Sequence, residues 1–388
     1  MWIWGQPQRR LGPVCHLHSQ CDWVRPANEA TLPATIFRGR RAAAIENDHL
    51  RVTVLQEGGH IAEILDKQTG VNPLWIPPWP SIEPSTFNAD KHREFGTGSD
   101  ARLLAGIMGH SVCLDIFGGP SADEAAAGIT VHGEASVDPY EIADRNGKLA
   151  LRIRLPLAQL RFERSIELHD RALRIQESVE NLTACDRPIA WTQHVTLGPP
   201  FLERGATQFR ASASRSKVYE TDFGANAYLK SAAEFDWPMA PQSVSGAADL
   251  RVMNSAPASS GFTTHLMDPQ REDAFFVAFA PALRLALGYI WKRADFPWLG
   301  IWEENCSRTE TPWSGKTIAR GMEFGVSPFP ESRKQMVDRG RLFGVPTYRW
   351  LPAKGRLHAE YWATLRGANS IPDSLAWPTQ SKVATRVG

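Results

Sequence analysis

The chain has 388 residues and nearly balanced charges, with 43 Lys and Arg against 42 Asp and Glu, which gives a formal net charge of +1. This balance argues against a nucleic-acid partner or an anionic membrane surface, because both attract strongly basic proteins. No stretch of the sequence approaches the roughly 20 apolar residues of a membrane-spanning helix. The length is sufficient for a large core, in one all-β domain or two ordinary domains. The balanced charge favours a small-molecule partner.

Residues 1–35 are predicted to form a leader of uncertain order, and they contain no apolar run long enough for a signal peptide. Cys15, His16, His18 and Cys21 group potential metal ligands in this leader. No second ligand pair follows at zinc-finger spacing, so a poorly ordered leader is favoured over a metal site.

The cysteines bear on the redox compartment of the protein, and the tryptophans bear on its core and its ligand. The five cysteines stand at positions 15, 21, 113, 185 and 306, an odd number that is widely scattered. This distribution fits reduced thiols better than a disulfide framework, so a cytoplasmic location is predicted. The 14 tryptophans suit either a large core or stacking on the apolar faces of sugar rings, and composition does not separate the two.

From about residue 36, apolar and polar residues alternate with a period of two, and turn-forming residues interrupt the pattern, which predicts antiparallel strands. Asn146-Gly147 predicts a hairpin turn, because both central positions of a type I′ turn need positive φ. Ser332 is the predicted N-cap of a short helix that begins near Arg333 and ends before Gly340. The predicted strands include 50–54, 149–155, 161–168, 172–180, 274–280, 283–290 and 318–324.

No linker or composition shift divides the chain, so one all-β domain is predicted for residues 36–365. Residues 366–388 form a C-terminal tail that is rich in small and polar residues and is expected to be frayed. Two predicted loops, 76–100 and 220–262, are too long to be simple turns. Long loops on a rigid sheet are where binding residues tend to lie.

One predicted strand, Trp191–Gly198, places an ionisable group on a polar face. Side chains alternate between the two faces of a strand. An imidazole has an ordinary pKa of roughly 6.5, so it can exchange a proton near neutrality. The strand alone leaves open a solvent-facing histidine on an ordinary sheet. The polar face carries Thr192, His194 and Thr196, and the apolar face carries Trp191, Val195 and Leu197.

Two other segments place an ionisable residue beside glycine. His132-Gly133 follows the glycine-rich stretch 116–120, and Glu323 lies between Gly321 and Gly325. Glycine lets a ligand or another backbone approach closely. Considered alone, each segment leaves a simpler alternative open. His132 could be a turn residue, and Glu323 could be a solvated carboxylate at the end of a strand.

The order of four features along the chain resembles the aldose 1-epimerase, or galactose mutarotase-like, superfamily. These features are the strand pair 50–64 with its Gly-Gly turn, His132-Gly133, His194 and Glu323. The resemblance extends from about residue 36 to 365. It implies a large antiparallel β-sandwich with few short helices, in which one concave sheet forms an open sugar cleft. It also implies interconversion of sugar anomers, without a metal or nucleotide cofactor.

The resemblance assigns a role to each ionisable residue. Glu323 would be the base that takes the proton of the C1 hydroxyl, and His194 the acid that protonates the ring oxygen. His132 would orient the substrate and stabilise negative charge on the sugar oxygens. Trp75, Trp79, Trp298 and Trp313 are candidate walls of the cleft, for which a core position is the alternative. Further candidate substrate-binding residues are His110, Arg102, Asp115 and Trp302.

Several alternatives remain open. The family's usual histidine strand reads Asn-His-x-Tyr-Phe-Asn, whereas this one reads Gln193-His-Val-Thr-Leu-Gly198, which motivates a non-catalytic sugar-binding protein. Other sugar isomerase or lyase chemistry is a further alternative. A phosphorylated sugar would need an arginine cluster, and the arginines here are scattered. An open metal site is a further alternative, because two histidines and a carboxylate, here His132, His194 and Glu323, can bind a metal ion. Their spacing in the sequence does not match a zinc motif. No oligomeric state is predicted.

Overall fold

The computed structural model describes residues 35–378 and the backbone of the short strand at 386–387. The cluster of potential metal ligands at 15–21 and all but the last residue of the predicted leader lie outside these residues. None of the described helices is long and apolar enough to cross a membrane.

Strands dominate the described residues, and helices are few and short. The helices are α1 (Ala101–Leu104), α2 (Ala122–Ala126) and α3 (Arg333–Arg339), with 3-10 turns at Pro84–Thr86, Arg93–Phe95 and Glu134–Ser136. The strands are β1 (Thr35–Phe37), β2 (Arg40–Glu46), β3 (Leu50–Leu55), β4 (Ile61–Asp66), β5 (His110–Leu114), β6 (Glu141–Asp144), β7 (Leu149–Leu155), β8 (Leu160–His169), β9 (Ala172–Asn181), β10 (Arg187–Ile189), β11 (Trp191–Leu197), β12 (Gln208–Ala211), β13 (Ala213–Val218), β14 (Glu234–Asp236), β15 (Met239–Pro241), β16 (Ala247–Asp249), β17 (Ser259–Met267), β18 (Asp273–Ala280), β19 (Leu285–Lys292), β20 (Trp298–Asn305), β21 (Ile318–Gly325), β22 (Arg341–Leu342), β23 (Val345–Pro346), β24 (Arg349–Leu351), β25 (Arg356–Gly367) and β26 (Arg386–Val387).

Two antiparallel sheets form the body of the fold. The large sheet has 12 strands in the order β1-β2-β3-β4-β5-β11-β21-β20-β17-β13-β14, with β26 paired to β2. The small sheet has 8 strands in the order β12-β18-β19-β25-β9-β8-β7-β6. The remaining pairs are β10-β24, β15-β16 and β22-β23. This topology confirms the predicted all-β, antiparallel class.

The main core lies between the two sheets. Along β8 of the small sheet, every second residue is buried, as the period of a half-buried strand requires. Phe162 and Ile166 from this strand belong to one apolar cluster with Val112 and Trp191 of the large sheet. Because the small sheet covers one face of the large sheet, the other face is left to loops, and that second face carries the candidate site.

The local sequence signals predicted several elements correctly. Asn146 and Gly147 have φ values of 57° and 82° in the turn between β6 and β7. Ser332 caps α3 in a reciprocal hydrogen-bonded box with Gln335. The predicted strand at 283–290 begins two residues later, at Leu285, because Arg284 has φ 50° in the preceding turn.

The predicted loop 220–262 differs from the structure, and so does the described part of the predicted frayed tail, residues 366–378. The loop contains β14, β15, β16 and the start of β17. The first three of these strands have three residues each, too few to show alternation in a sequence. Within the tail, Leu375 and Trp377 pack against a cluster with Phe275 and Ile290 on the small sheet. The apolar outer face of β18 and β19 needs this cover, so residues 368–378 are ordered by packing.

Candidate active site

His194 lies on the face of β11 that points away from the core between the sheets. Trp191, Val195 and Leu197 belong to that core, so the alternation expected along this strand is observed. Every residue of β11 is buried, however, on both faces. His194 is only 5% exposed, which does not fit a solvent-facing histidine on an open sheet.

Strand register brings Glu323 beside His194. The two residues are directly opposite on the antiparallel pair β11 and β21, and Nε2 of His194 lies 3.1 Å from Oε1 of Glu323. On its other side, Nδ1 of His194 lies 3.0 Å from Oγ1 of Thr196, two residues along the same strand face. Both ring nitrogens of the imidazole therefore have a protein partner.

His132 approaches the pair from a turn that follows α2. It has φ 64° and is followed by Gly133 at φ 79°, and a Cβ at position 133 would lie 2.3 Å from the carbonyl oxygen of Leu114. The His132 ring centroid is 4.8 Å from that of His194. Nδ1 of His132 is buried and has no hydrogen-bond partner among the described residues. His132 is thus both a turn residue and a neighbour of the pair.

These three side chains line one cavity of about 440 Å³. A cavity of this size lies within the range of pockets that bind small organic ligands. A larger groove of about 830 Å³ lies beside Trp79 and Pro80 but contains none of the three. The other lining residues are Trp75, Gly98, Ser99, Asp100, Leu103, Leu104, Ile107, Phe117, Gly118, Gly119, Val131, Phe223, Phe262, Trp302, Arg308, Trp313 and Pro330.

Burial controls the protonation of the pair. Removal from water disfavours charge, so it raises the pKa of Glu323 well above its usual value and lowers the pKa of His194 to about 4. It also lowers the pKa of His132, to which the neighbouring His194 and His60 contribute. The favoured state of the pair therefore has no net charge. Both shifts favour carboxylic acid with neutral imidazole, and transfer of one proton across the 3.1 Å contact gives carboxylate with imidazolium at the same net charge.

Glycine provides the space for the Glu323 carboxylate. A Cβ at position 321 would lie 2.2 Å from Oε1 of Glu323. At position 325 a Cβ would lie 2.3 Å from Oγ1 of Thr192. Gly321 therefore leaves room for the Glu323 carboxylate, and Gly325 leaves room for Thr192 on the neighbouring strand, whose Cα would lie 2.8 Å from an added Cβ.

A row of aromatic rings leads away from His194. The Trp302 ring centroid lies 6.1 Å from the His194 ring, and the Trp313 centroid lies 6.1 Å from that of Trp302. Trp75 stacks on Trp313 with centroids 6.2 Å apart. The Arg308 guanidinium lies 4.6 Å from the centre of the Trp313 ring. Indole rings of this kind can stack on the C–H face of a sugar.

The sequence matches no protein-family profile. It also matches no functionally curated protein. Solved structures do resemble the fold. A candidate aldose 1-epimerase from Klebsiella pneumoniae shares 14% identity over 85% of this chain and 80% of that one, with a TM-score of 0.60. One from Escherichia coli shares 13% identity over 84% and 99%, with a TM-score of 0.56. A galactose mutarotase-like protein from Clostridium acetobutylicum shares 11% identity over 87% and 99%, with a TM-score of 0.55.

This chain has the galactose mutarotase-like fold. The fold that the sequence resemblance implied and the predicted antiparallel β-sandwich are therefore confirmed. At these identities the likeness establishes the fold, while the chemistry must be argued from the cavity.

Within this galactose mutarotase-like fold, His110 does not reach the cavity. His110 is opposite Val195, whereas its neighbour Ser111 is opposite His194. Because the side-chain period of a strand is two, His110 points to the core side of the sheet. Its Nε2 lies 3.1 Å from Oε1 of Gln193, and Nδ1 lies 3.3 Å from the Tyr289 hydroxyl.

Two further residues that the sequence suggested for substrate binding also lie elsewhere. Arg102 forms an ion pair with Asp138 at 2.8 Å, while the residues that follow it in α1 line the cavity. Asp115 is buried and paired with both Arg187 and Arg333. Both residues have partners of opposite charge, and neither is among the residues that line the cavity. Of the suggested binding residues, His132 and Trp302 line the cavity, and of the suggested tryptophan walls, Trp75 and Trp313 do so, whereas Trp79 and Trp298 do not.

The cavity contains groups that the sequence did not single out, Asp100 and Arg308 among them. Asp100 ends the long loop 76–100, so loop length was the available signal. Arg308 lies in the connection between β20 and β21, where no motif marks it. Within residues 35–378, no group of three or more His, Cys, Asp or Glu side chains is arranged to hold a metal ion.

Proposed function

We propose that the cavity binds an aldose and that Glu323 and His194 interconvert its anomers by general acid–base catalysis. The proposal rests on the 3.1 Å contact between these two side chains, both of which line the cavity. Anomer exchange needs one group to remove a proton and a second to supply one, both near neutral pH. A carboxyl–imidazole pair without net charge can do both.

In the proposed reaction, the Glu323 carboxylate takes the proton of the C1 hydroxyl while the His194 imidazolium protonates the ring oxygen. The bond between C1 and the ring oxygen breaks and leaves an aldehyde at C1. Rotation about the C1–C2 bond turns the other face of the aldehyde toward the oxygen. Ring closure returns one proton to His194 and one from Glu323 to the new C1 hydroxyl. The pair ends in its starting state, and transfer across their hydrogen bond supplies the charged form.

His132 is proposed to hold the sugar oxygens beside the pair. Its ring lies 4.8 Å from that of His194, and its buried Nδ1 has no hydrogen-bond partner among the described residues. A buried polar atom without a partner is costly. A sugar hydroxyl would remove this cost, which favours bound substrate over an empty site.

The reaction is tested by following anomer exchange by NMR across a panel of free aldoses. We expect exchange faster than in buffer for at least one sugar, and Glu323→Gln or His194→Ala should lower that rate roughly 10²- to 10⁴-fold. Glu234→Gln is the matched control, because Glu234 is exposed on β14. If no sugar exchanges faster with the wild-type protein than in buffer, the proposal is wrong.

A second candidate is a sugar-binding protein without catalysis. It is favoured by one observation, that both ring nitrogens of His194 already have protein partners, Glu323 and Thr196. Calorimetry distinguishes the two candidates. Sugar binding that survives Glu323→Gln, with no exchange by the wild-type protein, supports the binding role.

The cytoplasmic location remains a proposal and rests on the cysteines. Cys113, Cys185 and Cys306 are free thiols in the structure. Free thiols are typical of reducing compartments. Fractionation of the native cells with thiol labelling of the three positions would test it, and recovery of the protein in an oxidising compartment would contradict it.

A further inference from the structure

One wall of the cavity is aliphatic. Leu103, Leu104 and Ile107 line it, and they come from α1 and the turn that follows it. They belong to one apolar cluster with Trp75, Trp302 and Trp313. Arg102 of the same helix points instead to Asp138, so the segment presents its apolar side to the cavity.

Aliphatic and aromatic walls differ in what they accept from a sugar. The C–H face of a pyranose packs well on an indole ring. A hydroxyl pressed against leucine or isoleucine loses its water and gains no hydrogen bond, which costs roughly 1 to 3 kcal/mol. A ligand group that lies against Leu103, Leu104 and Ile107 should therefore lack hydroxyls.

The aliphatic wall and the ionisable pair are linked by the aromatic row. The rings proceed from His194 through Trp302 and Trp313 to Trp75. Trp75 packs in the same cluster as Leu103 and Leu104. A cavity of about 440 Å³ falls in the range that holds drug-sized molecules, so it has room for a substituent beside a pyranose ring.

We propose that the substrate is an aldose that carries an apolar substituent away from C1, such as a deoxy, acyl or aryl group, packed against the 103–107 wall. This proposal rests on the proposed function, because it names the substrate class of the same cavity. The free C1 hydroxyl stays beside Glu323 and His194, and the substituent lies against Leu103, Leu104 and Ile107.

The charges in the cavity do not favour an anionic substituent instead. Among the described residues that line the cavity, Arg308 is the only Lys or Arg. Its Nε already lies 3.5 Å from Oε2 of Glu304, and its guanidinium packs over Trp302 and Trp313. Asp100 adds a carboxylate to the same lining. With its one cation compensated, the cavity offers an added phosphate or carboxylate little net attraction.

The experiment compares sugars that differ only in the substituent. D-galactose is paired with 6-deoxy-D-galactose, and D-glucose with 6-O-benzyl-D-glucose, and kcat/KM for anomer exchange is measured by NMR. We expect the more apolar member of each pair to be preferred roughly 10- to 100-fold, the discrimination available to an apolar pocket. Calorimetric affinities of the same sugars should show the same preference independently of turnover.

A matched pair of variants links the preference to the wall. Ile107→Thr replaces the ethyl branch of the side chain with a hydroxyl, which makes the wall more polar and removes its terminal methyl group, and it should reduce the preference severalfold. Ile153→Thr is the control, because Ile153 is 7% exposed, like Ile107, but lies on β7 in the core between the sheets. The control should keep the preference of the wild-type protein.

The outcomes separate this proposal from the proposed function. If both members of each pair are converted with equal kcat/KM, the proposed preference for an apolar substituent is wrong and the proposed anomer exchange stands. Preferential binding of the apolar member without turnover supports the apolar substituent and overturns anomer exchange. A preference that is unchanged in Ile107→Thr overturns the assignment to this wall, and absence of both binding and turnover overturns both proposals.

Discussion

His194 and Glu323 face each other across the antiparallel pair β11 and β21, with Nε2 of the histidine 3.1 Å from Oε1 of the glutamate. The contact depends on strand register, because a slip of one residue would turn one of the side chains into the core between the sheets. Residues 129 positions apart in the sequence thus form one proton-sharing unit. Four predictions follow from how neighbouring side chains support that unit and the fold beneath it.

Thr196→Val should lower kcat for anomer exchange about tenfold and leave KM nearly unchanged. The substitution removes the 3.0 Å contact between Oγ1 and Nδ1 of His194, which orients the imidazole and contributes about one hydrogen bond, or roughly 1.4 kcal/mol. Thr196→Ser should restore the rate. The measurement is the separate determination of kcat and KM by NMR exchange.

Thr192→Val is the control for this orienting role. Thr192 lies on the same face of the same strand, and its Oγ1 is buried without a hydrogen-bond partner among the described residues. Its replacement by a methyl group should therefore leave both stability and kcat near wild type. Equal losses in the two valine variants would contradict a specific orienting role for Thr196.

Gly321→Ala should reduce exchange at least tenfold while the protein stays folded. The added Cβ would lie 2.2 Å from Oε1 of Glu323, so the carboxylate must move away from His194, and misplaced catalytic groups lose rate steeply. Gly367→Ala is the comparison, because Gly367 lies at the end of β25 outside the cavity lining and a Cβ there would be 3.9 Å from its nearest neighbour, the carbonyl oxygen of Arg284. Thermal unfolding and exchange rates of both variants check the prediction, and full activity in Gly321→Ala would refute it.

Glu177→Gln should destabilise the protein by about 3 to 5 kcal/mol, the cost of breaking a buried ion pair from one side. The Glu177 carboxylate is buried, 2.7 Å from Nε of Arg164 and 2.7 Å from the Tyr361 hydroxyl. It also accepts a 2.6 Å hydrogen bond from Gln193, next to His194. Denaturant unfolding measures the change.

Glu234→Gln provides the stability control for that substitution. Glu234 pairs with Arg215 at the surface, with side chains 54% and 58% exposed. Exposed pairs contribute about 0 to 1 kcal/mol. A loss in Glu177→Gln no larger than that in Glu234→Gln would show that the buried network beneath β11 contributes little.

Stability should fall as the pH decreases from about 6.5 toward 4, with buried His265 contributing to the fall. Burial lowers the pKa of His265 to about 3, so the folded protein keeps it neutral where the unfolded chain takes up a proton near pH 6.5. The unfolded state then binds more protons, which costs about 1.4 kcal/mol of stability per pH unit. His265→Gln should reduce the slope of unfolding free energy against pH by this amount.

His358 supplies the comparison for the pH experiment, because it is exposed on β25, whereas His265 bonds to Ser216 and Thr263 in the interior. His358→Gln should change the slope less than His265→Gln does. Denaturant unfolding at pH 7, 6 and 5 measures both variants. An identical slope in wild-type protein and His265→Gln would rule out the assigned contribution.

Local signals predicted much of the fold because they act over a few residues. Period-two alternation located the strands, Asn146-Gly147 located a turn, and Ser332 located the start of α3. The same signals identified His194 and Glu323 as residues of interest. They did not show that His110 lies on the other face of the sheet from His194. The face depends on how β5 and β11 pair, and the separation of the two residues in the sequence does not reveal that register.

Sequence patterns alone specified the all-β class, most strands and the polar face that carries His194, since each depends on the periodicity of a single segment. Folding of the whole chain was needed to bring Glu323 to 3.1 Å from that histidine, to bury both, and to close the cavity with the aliphatic wall of residues 103–107. These features depend on strand order, register and loop packing between distant segments. No single segment encodes them, because the contacts that create the cavity exist only after both sheets have formed.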